Sequence, residues 1–161
     1  MKTAFAFIFL FLIFSNPELS EVRKLYANAV NSKADGEKLI DLMASVSKDD
    51  NKTLVAYKGA SLALKGKFSP KKEDKKKYFT EGVKILEQAL EKDPKNFEIR
   101  LIRISIQENT PKILKYKQNI PEDKAFILSN FSKQNHSLKD FTKLYLKQSK
   151  IFSETEKNSL Q

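Results

Sequence analysis

Apolar residues recur along this chain at helical rather than strand spacing. Leu19, Val22, Leu25, Tyr26 and Ala29 mark one face of a first helix. Asn16, Pro17 and Glu18 precede it as an N-cap, a first-turn proline and an acid at the positive helix end. A second helix is expected from near Asp35, with Leu39, Ile40, Met43 and Val46 on its apolar face, ending in the polar turn 47–51. A third runs from about Lys52 to Lys65. Its stripe of Val55, Gly59 and Leu62 is flanked by Ala56, Ala60 and Ala63, small residues that suit close helix packing. Phe68, Ser69 and Pro70 interrupt the pattern before a fourth helix, Tyr78 to Glu91.

After Pro94 the pattern is two-sided. Phe97, Ile99 and Leu101 alternate like a strand, whereas Ile99, Ile102 and Ile106 follow helical spacing. The turn 93–96 ahead of this segment favours a helix. Thr110 and Pro111 open a short helix through Tyr116, and Asn119 to Asp123 opens a longer one carrying Phe126, Ile127 and Phe131. Ser137 with Asp140 resembles a capping box ahead of Leu138, Phe141, Leu144 and Tyr145, and Ser153 with Glu156 is a fuller one.

Composition agrees with helices. Only 4 Gly and 5 Pro occur in 161 residues, too few turn formers for a β-sandwich. The fold class expected is all-α, with about seven helices in a single domain, 16–161. Residues 1–15 stand apart: Lys2 precedes an unbroken apolar run from Ala4 to Phe14. Spanning a bilayer takes roughly 20 apolar residues, so the run is read as a signal peptide cut near Ser15. No Ala-x-Ala marks the cut, and no Cys follows the run for lipid attachment. The absence of cysteine rules out disulfides, thiolate metal sites and cysteine nucleophiles, and it fits a bacterial periplasmic or secreted protein.

The formal net charge is +10. Its densest part is a lysine-rich loop expected at 66–77, including Lys71, Lys72, Lys75, Lys76 and Lys77. One reading is a solvated connection between helices; the other is a contact for anionic surfaces such as phospholipid headgroups or lipopolysaccharide. Nucleic acid is not expected, because no aromatic residues interleave with these lysines.

Gly82, Leu86, Ala89 and Pro94 fall at the spacing small-x3-large-x2-Ala-x4-Pro. That resembles the second half of a tetratricopeptide repeat, whose small residue lets two helices approach closely. The resemblance implies an array of antiparallel helix hairpins that binds other molecules. Gly82 lies about eleven positions later than Gly59 would require in an ordinary repeat, so either a true insertion or a looser helical relative is implied. The segments 57–60, 86–94, 98–107 and 121–127 also resemble small exported helical proteins of flavobacteria-like bacteria, a group that brings no activity with it.

Candidate chemistry is sparse. His136 is the only histidine and adjoins Ser137, but adjacency in sequence is not triad geometry. Neither a Gly-rich phosphate loop nor a zinc-protease motif occurs. Asp49 with Asp50 and Glu122 with Asp123 sit at a turn and a helix start, where acids complement the helix dipole. Arg100, Arg103 and Gln107 share one helix face with Glu98 beside it. They are read either as a guanidinium pair gripping a partner's carboxylate or phosphate in a groove, or as a bridge to Glu98, Glu122 or Asp123. Tyr57, Tyr78 and Tyr116 either rim that groove or belong to the core. The resulting expectation is a noncatalytic exported binding or scaffold module without metal or cofactor. Its partner is another envelope protein or a segment of one, held by Arg100, Arg103, Gln107 and Tyr57; the alternative is attachment to an anionic envelope surface through the lysines.

Overall fold

The computed structural model describes residues 17–160, and every regular element among them is helical. Eight α-helices are α1 (Leu19–Asn28), α2 (Lys33–Met43), α3 (Lys52–Phe68), α4 (Lys72–Lys92), α5 (Phe97–Asn109), α6 (Ile120–Asn130), α7 (His136–Gln148) and α8 (Glu154–Asn158). Single 3-10 turns occupy Lys112–Leu114 and Phe131–Lys133. The proposed leader, 1–15, lies outside the described residues, as does Asn16. Among the described residues no helix is long and apolar enough to cross a membrane.

The chain is organised by the α3–α4 hairpin. A Cβ placed on Gly59 would stand 2.5 Å from the carbonyl oxygen of Gly82 and 2.8 Å from the amide nitrogen of Leu86. Nearer the turn, a Cβ on Gly66 would lie 2.9 Å from the carbonyl oxygen of Lys75. Position falls on one helix as it rises on the other, so the helices are antiparallel and touch backbone to backbone. Gly82 is thus a contact residue, as its repeat-like spacing predicts, and Leu86 and Ala89 are buried beside it.

The displacement of Gly82 along the chain has a simple origin. Residues between the two glycines do not form a loop; they extend both helices beyond the crossing. The expectation of a lysine-rich loop at 66–77 is corrected accordingly, because Lys72, Lys75, Lys76 and Lys77 lie in the first turns of α4 and only 69–71 connect the helices. Lysine is a good helix former, and Glu73 and Asp74 place negative charge in the first turn, where the helix dipole favours it.

Other boundaries show which side chains cap. Asn51, Asn96 and Ser153 accept hydrogen bonds from the backbones of Thr53, Ile99 and Glu156, and Ser153 with Glu156 completes its capping box. Asn135, not Ser137, caps α7 by accepting from Leu138 N, so the expected cap is corrected by two residues. Helix α1 begins after Glu18 without a side-chain cap, which leaves Pro17 ahead of the first helical position. The short helix expected over 110–116 reduces to one 3-10 turn, because Lys115 enters the left-handed region at φ 50°.

Helix α5 packs on both arms of the hairpin and on α6, and α1 lies across α2 and α3. Helix α7 then returns to α1 and α5. The Tyr26 and Phe141 rings meet there at 6.5 Å. In an open repeat array each unit touches only its neighbours, so this return contact makes the fold more closed than such an array.

Alanine at Gly59 or Gly82 gains roughly 0.5–1 kcal/mol from helix propensity but drives its Cβ into backbone that cannot rotate away. We expect a net loss of about 1–3 kcal/mol for either substitution, and for Ala89→Phe. This would be read as a lower urea midpoint at unchanged slope; an unchanged midpoint would mean the two helices are not held at this separation.

Candidate functional site

The residues singled out in the sequence are committed within the fold. Arg103 is 5 % exposed and forks onto Asp123, with Nε 2.6 Å from Oδ2 and Nη2 2.7 Å from Oδ1. Its Nη1 donates to Glu87 on α4 at 3.1 Å. Arg100 donates to Glu122 at 2.7 Å, to Asp123 at 2.8 Å and to the Pro94 carbonyl at 2.9 Å, and its guanidinium lies over the Phe126 ring. The guanidinium pair does grip a carboxylate, but that carboxylate belongs to the chain itself.

Burial opposes the Arg103 charge, yet hydrogen bonding and attraction from Asp123 outweigh it and hold the guanidinium more firmly protonated than usual. Glu122 is held below the ordinary carboxylate range, chiefly by its hydrogen bond from Arg100.

Gln107 is fully buried, donating to Asn119 at 3.2 Å while its carbonyl oxygen has no partner among the described residues. Tyr57 is also fully buried and donates to Glu98 at 2.7 Å. Glu98 in turn takes a two-pronged bond from Arg23 on α1, at 2.8 and 2.7 Å. The expected groove of Arg100, Arg103, Gln107 and Tyr57 is therefore corrected to two internal networks that tie α5 to α1, α3, α4 and α6. Tyr116, buried and hydrogen-bonded to Glu87, belongs to the same framework.

The remaining candidates are exposed. His136 projects into solvent and faces Asp140 at 3.2 Å, while Ser137 accepts from Arg23 at 3.0 Å; the two adjacent residues share no interaction. Lys71, Lys72, Lys75, Lys76 and Lys77 are all exposed. Among the described residues no group of three or more His, Asp or Glu is arranged to hold a metal ion.

A different face of α5 borders a cleft of about 850 Å³. Tyr26 and Ala27 of α1 form one side, with Ala60, Ala63 and Leu64 of α3 beside them. Leu101 and Ile106 of α5 and Phe141 and Tyr145 of α7 face these, and Phe79, Pro111 and Leu114 reach the rim. The hydroxyl groups of the wall and its carboxylate are hydrogen-bonded within the protein, while the amides of Asn109 and Gln148 line the cleft from exposed positions. Tyr26 Oη lies 2.7 Å from Ser105 Oγ, which itself donates to the Ile102 carbonyl at 2.8 Å. Thr110 donates to the Ile106 carbonyl at 2.7 Å. Glu108 accepts from Tyr145 at 2.6 Å, from Ser149 at 2.9 Å and from the Lys150 amide at 2.6 Å, which fastens the end of α7 to α5.

None of these wall residues stood out in the sequence except as core. The legible signal was α3 itself, whose apolar and small residues run round the whole helix, the mark of a helix enclosed by others. Which side would be left uncovered depended on where α7 returns.

Removing one member of a buried pair leaves a stranded charge, so Asp123→Asn is expected to cost about 3–5 kcal/mol in chemical denaturation. Joint replacement by Arg103→Met and Asp123→Leu should cost less than Asp123→Asn alone. A joint loss equal to the sum of the losses from Arg103→Met and Asp123→Leu made singly would show that the pair is not coupled.

Burial also raises the tyrosine phenols. Tyr26 is pushed up to about 12, and Tyr57, Tyr116 and Tyr145 are raised by desolvation, reinforced by Glu98, Glu87 and Glu108 respectively. Below the unfolded tyrosine pKa of about 10, these phenols are neutral in both states. Above it only the unfolded chain ionises, so stability should fall as pH rises beyond about 10. The phenolate absorbance of these four residues should emerge with the unfolding signal. Reversible ionisation of all the tyrosines in folded protein would contradict their burial.

No protein-family model, curated protein or solved structure matches the chain, so a functional reading rests on this geometry.

Proposed function

We propose that the protein is a noncatalytic binding module of the bacterial envelope that works through the cleft between α1, α3, α5 and α7. The observation carrying this reading is an open apolar cleft of about 850 Å³ whose interior polar groups already bond one another. Small-molecule sites typically span about 300–1,000 Å³ and are lined mainly by apolar side chains. Catalysis would need an activated nucleophile or a titrating acid–base pair in the cleft. Glu108, the carboxylate on its wall, is instead engaged in holding α7. The envelope address rests on the apolar run Ala4–Phe14 and on the resemblance to small exported helical proteins.

A second reading, attachment to an anionic envelope surface, is favoured by one feature. Lys71, Lys72, Lys75, Lys76 and Lys77 are displayed together on the exposed start of α4, and Lys75 also reaches the cleft rim. The two sites are close enough for one envelope component to meet both.

Intact-mass measurement on protein from its native host should find residues 1 to about 15 removed; a retained leader on cytoplasmic protein would overturn the address. In affinity capture from the envelope fraction, an Ala27→Phe variant, which grows a ring into the cleft, should lose what the parent retains. Capture unaffected by Ala27→Phe, yet abolished by raised salt, would move the function to the lysine face.

A further inference from the structure

We infer that the cleft is the site for a single-chain anionic amphiphile, a long-chain carboxylate whose tail lies along the apolar wall and whose head meets Lys67 and Lys75. This rests on the binding-module reading of the cleft and names its ligand class.

The wall argues for hydrocarbon. A polypeptide laid in the cleft would bury amide and carbonyl groups that need partners. The hydroxyl hydrogens inside the cleft are already used, by the Tyr26–Ser105 pair, by Thr110 on the Ile106 carbonyl, and by Tyr145 and Ser149 on Glu108, and the amides of Asn109 and Gln148 stand at exposed positions. An alkyl chain makes no such demand. It gains from leaving water for a surface of alanine, leucine, isoleucine and phenylalanine side chains.

The mouth argues for an anion. Lys67, near the end of α3, and Lys75, in the first turns of α4, both line the rim. They come from helices whose backbones touch at Gly66 and Lys75. Lys75 is exposed and its ammonium has no acidic partner among the described residues; Lys67 makes a long 3.4 Å bond to the Val30 carbonyl and lies 5.7 Å from the Phe68 ring centroid, with no acidic partner among the described residues. Lys71, Lys72 and Lys76 add positive charge on the same turns of α4, against Glu73 and Asp74. Lys150 also lines the cleft; Glu108 engages its amide, and its ammonium has no acidic partner among the described residues. The cleft's lining lysines, Lys67, Lys75 and Lys150, outnumber its one carboxylate, Glu108, so a head bearing one negative charge is favoured over a cationic one.

The lip supplies a third observation. Val30 is 47 % exposed and borders the cleft. A large apolar side chain held in water beside an apolar cleft provides further contact for a tail.

The test is titration calorimetry on the full chain with dodecanoate, tetradecanoate and hexadecanoate, each below its micelle concentration. Dodecyltrimethylammonium serves as the probe of equal tail and opposite charge. We expect affinity to rise about fourfold per added methylene, the equivalent of about 0.8 kcal/mol. The cation should bind at least about tenfold more weakly than dodecanoate, and Lys75→Glu should weaken the carboxylates about tenfold without weakening the cation. Ala27→Phe should abolish binding at an unchanged melting temperature; should that variant unfold, Leu114→Asp at the rim replaces it, with the same loss expected.

Affinity independent of tail length, equal binding of the cation, or binding untouched by a folded cleft variant overturns the inference. So does binding to anionic phospholipid vesicles alone, because that belongs to the lysine face. Silent titrations, with envelope capture still abolished by Ala27→Phe, would refute the amphiphile and leave the binding module standing. Silent titrations with capture indifferent to that variant would refute both.

Discussion

Buried charge on α5 is the constraint around which the other helices are arranged. Glu98 and Arg103 lie about 1.4 turns apart on that helix, and both are almost withdrawn from water. An unpaired charge in that position is prohibitive, so each must find its counter-ion in a neighbouring element. Glu98 draws Arg23 from α1 and the Tyr57 hydroxyl from α3. Arg103 draws Asp123 from α6 and Glu87 from α4. Apolar burial favours compact states of many kinds, because it has no direction. The forked bonds do have direction, and they select an arrangement in which four helices reach α5 at set positions. Net stabilisation by such pairs is modest; their effect is to make alternative packings expensive.

The cleft follows from the same arrangement. Gly59 and Gly82 bring α3 and α4 into backbone contact, so that flank of α3 is sealed. On its cleft-facing side α3 presents Ala60 and Ala63, which fill little of the space between it and α7. Helix α7 cannot settle inward to close the gap, because Glu108 binds the two residues beyond its last turn and Arg23 reaches Ser137 in its first. Pinned at both ends, α7 stands off from the alanines. The hollow is therefore bounded by fixed polar anchors instead of by loosely packed side chains.

Much of the helix pattern could be read from the chain, because periodicity and capping are local. Asn51, Asn96 and Ser153 act where short polar residues precede apolar runs, and Gly82 touches its neighbour as its spacing demanded. Misplaced features share a different character. Lysines at the start of α4 look like a loop when judged by charge alone, although lysine favours helix and the extra length simply prolongs the hairpin. Arg100 and Arg103 have the spacing of a solvent-facing stripe. Whether such a stripe meets water or Asp123 is decided by a helix some twenty residues later, and no local pattern contains that information. The cleft is less legible still, since its wall is assembled from α1, α3, α4, α5 and α7 together.

This division between interior and rim limits how the cleft can discriminate. Hydroxyls that bond one another inside it leave an apolar surface, and dispersion against such a surface distinguishes tails by length and bulk but hardly by chemistry. Recognition of chemical identity must then come from the exposed lining residues, Lys67, Lys75 and Lys150 with Asn109 and Gln148. Gln107 shows the alternative: its carbonyl oxygen is buried without a partner among the described residues, yet it lies on the Arg103 face of α5, away from the cleft. With the buried wall mainly apolar and lysines among its exposed lining, the cleft is chemically graded from interior to rim. A ligand that matches it must be graded in the same sense, and a uniformly polar or uniformly apolar molecule would satisfy only half of it.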